Sequence, residues 1–247
     1  VHISVSRINT YTGCPALYYF RYVRQIETPQ PSYFARGRAV HGGIEYNLHQ
    51  KIETRQDLPL KQVKDFAASC FDEEAKRTDW GFEDKGKTLD ESLSLVELYH
   101  NKIAPEVQPI AVEKKLEVEF PGVDYSLLGY ADVITEDRWI RDIKTVKRTP
   151  SDDAVIGNLQ LCAYSLMYQM EYENEETGVA LDYLVKLKTP KAKTLRTTVT
   201  DADHQRFLKI MEAVATNIEQ ENFYPNHTYM MCGPHKCPYW DVCIKEW

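Results

Sequence analysis

The amino-acid sequence predicts an α/β fold, a central mixed β-sheet flanked by helices, and two observations carry that prediction. Stretches with helical apolar spacing and stretches of period-two alternation follow one another as helices, three strands, helix, two strands, helix. Polar Thr135-Glu136-Asp137-Arg138 separates two of the alternating stretches, as the turn of a β-hairpin would. With 247 residues and 43% hydrophobic content, the chain can bury one large core, so a single domain over residues 1–247 is expected.

Taken in order, Val63, Phe66, Ala67, Cys70 and Phe71 fall at helical spacing, and residues 89–104 are expected to form another helix. Residues 110–120 alternate as a strand, with Val112, Leu116, Val118 and Phe120 on one side and Glu113, Glu117 and Glu119 on the other. Strands at 126–135 and 138–145 form the hairpin. Leu159, Cys162, Ala163, Leu166, Met167 and Met170 mark a helix, and strands are expected at 179–188 and 194–200. The last helix runs through Phe207, Ile210, Met211, Val214 and Ile218, opened by Thr200 or Asp201 as N-cap. Residues 1–30 and 222–247 show neither period but hold four of the six cysteines, so they are expected to form an annex.

No apolar run approaches the roughly 20 residues that span a bilayer. The opening VHISVSRINT has no signal-peptide core, so a cytoplasmic, reducing setting is expected. There the six cysteines favour thiol or metal roles over a disulfide scaffold. The net charge of −7 is unevenly spread, with basic stretches at 1–40, 138–148 and 186–196 on an otherwise acidic chain. Such stretches read either as solvated surface or as a basic groove, and a groove would be the footprint of a nucleic-acid partner.

The hairpin carries the densest chemistry. With its turn centred on Asp137, Asp132 lies across from Asp142 at close cross-strand distance. Two carboxylates placed so repel each other unless a cation sits between them. Lys144, two residues on, projects from the same face as Asp142. Paired acids with a lysine beside them make a divalent-metal site suited to phosphate-ester chemistry. His41, at the expected start of a helix, and Gln160 and Tyr164, four apart on a helix flank, are candidates to complete it. Their plainer readings are a structural histidine and a polar helix margin.

Gly81-Phe82-Glu83-Asp84-Lys85-Gly86-Lys87-Thr88 matches the Walker A pattern letter for letter. Its context argues against nucleotide binding, because an amphipathic helix precedes it and Glu83 and Asp84 would place two negative charges in a phosphate cradle. An exposed turn is expected instead. Cys70 and Cys162 lie on apolar stripes and read as buried small hydrophobes. Cys232, Cys237 and Cys243 crowd one aperiodic segment, and Cys14 is the remaining candidate for a fourth ligand. The one-plus-three layout favours an iron–sulfur cluster over zinc, with His235 keeping a zinc reading open.

Together these pieces resemble the RecB-like branch of the PD-(D/E)xK nuclease superfamily that carries an iron–sulfur cluster, and they span most of the chain. Ser4 to Tyr11, Cys14-Pro15 and Tyr18 to Tyr22 look like the branch's N-terminal signature. His41 matches its helical histidine, Gly129-Tyr130-Ala131-Asp132 its first acid, Asp142-Ile143-Lys144-Thr145 its (D/E)xK element, and Gln160 to Tyr164 its QxxxY motif. Cys14, Cys232, Cys237 and Cys243 match the cluster ligands, although the four-residue gap between Cys232 and Cys237 departs from the two that relatives often have.

The resemblance implies a restriction-endonuclease-like core with the chain's two ends joined at a four-cysteine [4Fe–4S] site that shapes the region of DNA entry. It implies Mg²⁺ or Mn²⁺ held by His41, Asp132, Asp142 and the backbone carbonyl of Ile143. Lys144 would position the attacking water or stabilise developing charge, with Gln160 and Tyr164 bordering the DNA and steadying the lysine. The activity implied is a DNase, an exonuclease on single-stranded ends in recombination, repair or phage DNA processing. A CRISPR-associated adaptation nuclease that trims DNA for an integrase shares every motif. A non-catalytic DNA-binding module is the rival from another class, and the intact Asp132, Asp142 and Lys144 argue against it.

Overall fold

The computed structural model describes residues 2–120 and 125–247. The chain begins with β1 (His2–Ile3), α1 (Val5–Gly13), α2 (Pro15–Tyr18) and a π-helical turn at Tyr19–Val23. There follow β2 (Gln30–Pro31), α3 (Ser32–Thr54), α4 (Leu60–Ala75), β3 (Thr78–Asp79) and α5 (Lys85–Lys102). The strands β4 (Pro109–Glu119), β5 (Ser126–Thr135) and β6 (Trp139–Val146) lead to α6 (Leu159–Tyr172). The chain closes with β7 (Gly178–Val185), β8 (Lys191–Thr197), α7 (Asp201–Glu219) and α8 (Trp240–Glu246). It divides into two compact units, one of Val1–Thr28, Glu117–Gly129 and Thr200–Trp247, the other of Pro29–Leu116 and Tyr130–Val199.

In the second unit the sheet is mixed. β5 and β6 pair antiparallel with Val133 opposite Arg141 and Ile134 opposite Ile140, which is the register expected from the sequence. Arg138, at φ 62°, and the Arg138 N–H donated to the Thr135 carbonyl at 2.9 Å close the turn. β6 runs parallel to β7 through eight residue pairs, with α6 as the crossover, and β7 pairs antiparallel with β8. Every residue of β7 is buried, as suits a strand covered on both faces. One face packs Val112, Val133, Ile143 and Leu184 against Val40, Ile44 and Leu48 of α3 and Leu95, Val96 and Tyr99 of α5. The other face of β6 and β7 receives α6.

Helix α3 is longer than expected. His41 lies in its middle and not at its start, because the helix begins at Ser32. Its buried stripe is built of Ala35, Ala39, Gly42 and Gly43 as well as larger residues, so hydrophobic spacing understates it. The small residues let α4 approach closely, since a Cβ on Gly43 would come within 2.9 Å of the Ala67 methyl.

The basic stretches are also corrected. Arg141 is a core residue, its guanidinium held by both Asp182 oxygens at 2.8 Å, with Thr194 donating to the same carboxylate at 2.6 Å. Arg36 is buried against Glu83 and Glu91, Lys186 pairs with Glu91, and Lys193 with Asp152. Much of the charge that a basic groove would need is therefore neutralised within the fold. The periodicity expected to be missing from the ends is present in short form, for α1 buries Val5, Ile8 and Tyr11 behind a Ser4 N-cap.

In the first unit the two ends are fastened directly. The Ala16 N–H donates to the Tyr224 carbonyl at 3.0 Å, the Tyr11 hydroxyl to the Asn222 carbonyl at 2.6 Å, and the Tyr239 hydroxyl to the Ile26 carbonyl at 3.1 Å. Phe20 packs against the rings of Tyr239 and Trp247, and Arg24 pairs with Glu246. α7 opens with the expected Thr200 cap as a full capping box with Asp203.

Candidate active site

The site is built where the hairpin strands part. Ladder pairing of β5 with β6 stops at Val133 and Arg141, and beyond it the Ile143 N–H donates to the Asp132 carboxylate at 2.6 Å. A side chain thus takes the place of a backbone acceptor and holds the strands apart at the two acids. Burial, ahead of every other influence, pushes Asp132 up to about 6 and Asp142 up to about 7. Asp132 adds to the rise at Asp142 through charge repulsion.

His41 Nδ1 lies 3.6 Å from Asp132, and burial depresses its pKa, which leaves the neutral imidazole a metal ligand needs. Glu113 is the third member of this group. Among the described residues, His41, Glu113 and Asp132 are the set of histidine, thiol or carboxylate donors whose ligand atoms all fall within 4.8 Å of one another. Glu45, one turn beyond His41 on α3, lines the same pocket with Val112, Val133 and Ile143. Regular alternation over 110–120 would put Glu113 on the side opposite Val112, Leu116 and Val118. Its φ of 48° breaks the alternation there. A signal was present, since Lys114 interrupts the apolar side between Val112 and Leu116, as a bulge would.

A second group hangs from α6. Lys144 Nζ lies 3.1 and 2.8 Å from the two Asp142 oxygens and donates to Gln160 Oε1 at 2.8 Å. Gln160 Nε2 donates to the Tyr164 hydroxyl at 2.8 Å, and that hydroxyl donates to the Tyr130 carbonyl at 2.5 Å. Asn158 caps the helix and sets the position of Gln160. Gln160 and Tyr164 are therefore more than a polar helix margin, because they tie the lysine to the open end of β5.

These residues fit a divalent cation. Asp142 is 1% exposed, and its Oδ2 accepts no well-directed hydrogen bond although the ammonium is close. Three carboxylates and a neutral imidazole with a backbone carbonyl at Ile143 make a hard, oxygen-rich donor set of the kind Mg²⁺ and Mn²⁺ take.

The Walker-like segment opens α5, but its acids fill it. Asp84 accepts the Lys87 N–H at 2.6 Å, and Glu83 accepts from Ser32 at 2.8 Å and pairs with Arg36. Of the cysteines, Cys162 is buried and Cys70 is half-buried beneath Gly42. Cys14, Cys237 and Cys243 pack around Ala16, Phe20 and Tyr239. Burial raises the Cys237 and Cys243 thiols, and charge interactions with Cys14 and Cys232 raise both further. The histidine against Cys232 is His227, at 3.8 Å, and not His235.

A family model for the PD-(D/E)XK nuclease superfamily matches residues 2–244. The chain is 24% identical over 286 residues to the Gene 69 protein of Mycobacterium phage L5, across 97% of this chain and 93% of the relative. Among solved structures, a candidate exonuclease from Eubacterium rectale aligns with a TM-score of 0.64 at 12% identity, over 100% of this chain and 88% of that one. That likeness speaks to the fold.

Without a cation, the raised acids hold protons that the unfolded chain has already released. Their contribution to stability is complete below about pH 4 and is lost as pH rises through about 6 to 7. A cation must displace those protons, and neutral His41 favours it at the same high-pH end. Melting with saturating Mn²⁺ against EDTA is expected to show a small gain near pH ~5 and the full gain near pH ~8. A gain that ignores pH would remove these acids from the ligand set.

Proposed function

Because the chain belongs to the PD-(D/E)XK nuclease superfamily, we propose that it is a Mg²⁺- or Mn²⁺-dependent deoxyribonuclease acting on the ends of single-stranded DNA. The observation that carries this reading is the meeting of two groups at Asp132 and Asp142, one of histidine and carboxylate donors and one that holds a lysine in place. The likeness to a phage protein over nearly the whole chain supports phage DNA processing as the setting.

His41, Glu113, Asp132, Asp142 and the Ile143 carbonyl are the groups that would hold the cation. When bound, it polarises a phosphodiester and lowers the pKa of an attacking water. The chain's own part is to position and exclude. Asp142 and Gln160 fix the Lys144 ammonium, which can donate to a non-bridging phosphate oxygen or steady the nucleophile as charge develops. Tyr164, buried and with its pKa raised chiefly by that burial, stays a neutral donor and pins the Tyr130 backbone beside Asp132. The Asp132 carboxylate, already bound to the Ile143 N–H, keeps a fixed orientation for its other lone pairs.

The same reading extends to Cys14, Cys232, Cys237 and Cys243 as ligands of a [4Fe–4S] cluster. Their mutual charge interactions support it. So does the packing of Cys14, Cys237 and Cys243 around one small apolar cluster, Ala16, Phe20 and Tyr239.

Asp142→Ala is expected to abolish Mg²⁺-dependent release of nucleotides from end-labelled single strands. Lys144→Ala is expected to slow it by at least about 10²-fold, the loss typical of a transition-state partner. Both variants should remain folded, and full activity in either would sink the reading. Protein purified without air should be brown with broad visible absorption, whereas a colourless, zinc-loaded preparation would overturn the cluster.

A further inference from the structure

We propose that the face of α3 that carries His41 continues, toward the helix N-terminus, as a single-strand track leading into the metal site, on which Tyr33 and Phe34 stack unpaired nucleobases and Arg38 holds a phosphate. The proposal rests on the nuclease reading above and names how that site takes its substrate.

Phe34 and His41 are seven residues apart, nearly two turns, so they share a face about 10 Å apart along the axis. Arg38 stands between them, four residues after Phe34 and three before His41. The two rings are stacked with centroids 4.8 Å apart and remain 54% and 41% exposed, Tyr33 and Phe34 respectively. The neighbours Ser32, Ala35 and Arg36 are buried, which anchors the backbone beneath the rings, while neither ring is itself a buried core residue. An exposed pair of this kind is a ready platform for bases, and stacking tolerates any sequence because every base has a π-face.

The arginines on this helix separate the two roles. Arg36 points inward and is neutralised by Glu83 and Glu91. Arg38 is exposed, makes no ion pair among the described residues, and lies within electrostatic range of Glu113 at the rim of the metal pocket. Gly37 leaves open space beside it, since a Cβ there would meet nothing within 4 Å. Aromatic pair, free cation and metal ligand thus follow one another along one helix face. In a duplex the bases are already stacked on each other and cannot use the platform, so the track selects single strands.

The test is equilibrium binding of labelled oligothymidylate and of a labelled duplex to the full chain in a Lys144→Ala background with Mn²⁺. Adding Tyr33→Ala and Phe34→Ala is expected to weaken single-strand binding roughly 5- to 150-fold while duplex binding changes less than about two-fold. Phe34→Trp should keep the affinity and show indole quenching when the strand is added. Arg38→Ala should lower the slope of log affinity against log salt by about 0.7, one phosphate's share on a single strand. Unchanged single-strand affinity in the double variant overturns the track, and so does an equal loss for duplex. If the parent binds and wild-type protein cleaves, those results leave the nuclease reading standing. A parent that binds neither substrate overturns both.

Discussion

Like charges held in register are what the rest of this structure depends on. The β5–β6 hairpin sets Val133 against Arg141, and so brings Asp132 to Asp142 in a buried place where carboxylates resist ionising. A slip of one residue would turn each acid to the opposite face and dissolve the site. Three things prevent that slip. The turn is closed by Arg138 in the left-handed region. Thr135 and Asp137 bond to each other across the turn. β6 is locked along its whole length to the buried β7. The Arg141–Asp182 pair adds a further constraint, for a buried guanidinium can be satisfied in one register only.

From that constraint the two halves of the site follow. On one side α3 supplies His41 and Glu45, and a strained position in β4 swings Glu113 to meet Asp132. On the other, α6 supplies Gln160 and Tyr164, which spend their hydrogen bonds on Lys144 and on the Tyr130 carbonyl at the opened end of β5. The helix registers matter as much as the strand register, because spacings of four on α3 and α6 put each pair on a single face. A chain with the same acids on an unsupported hairpin would leave the lysine free to solvent.

Much of this was legible in the sequence, for identifiable reasons. The hairpin, its turn and its register could be read because one strand face is apolar and the turn is polar. The α6 helix, with Gln160 and Tyr164 on one flank, could be read because its core stripe is made of large residues. α3 was seen only around His41, since its buried stripe relies on alanine and glycine, which carry little hydrophobic signal. The basic stretches stayed ambiguous because charge alone does not distinguish Arg141, buried against an acid 41 residues on in the neighbouring strand, from an arginine facing solvent. Glu113 was missed because a left-handed glutamate leaves only an indirect mark, the interruption at Lys114. That one position brings a second carboxylate to His41 and Asp132.

The most direct test of this account is anomalous scattering from crystals of the protein grown with Mn²⁺. The expected result is a manganese peak within ligating reach of His41, Glu113, Asp132, Asp142 and the Ile143 carbonyl, beside the Lys144 ammonium that Gln160 holds. A pocket without manganese under saturating conditions, or a cation ligated only by residues outside this group, would contradict it.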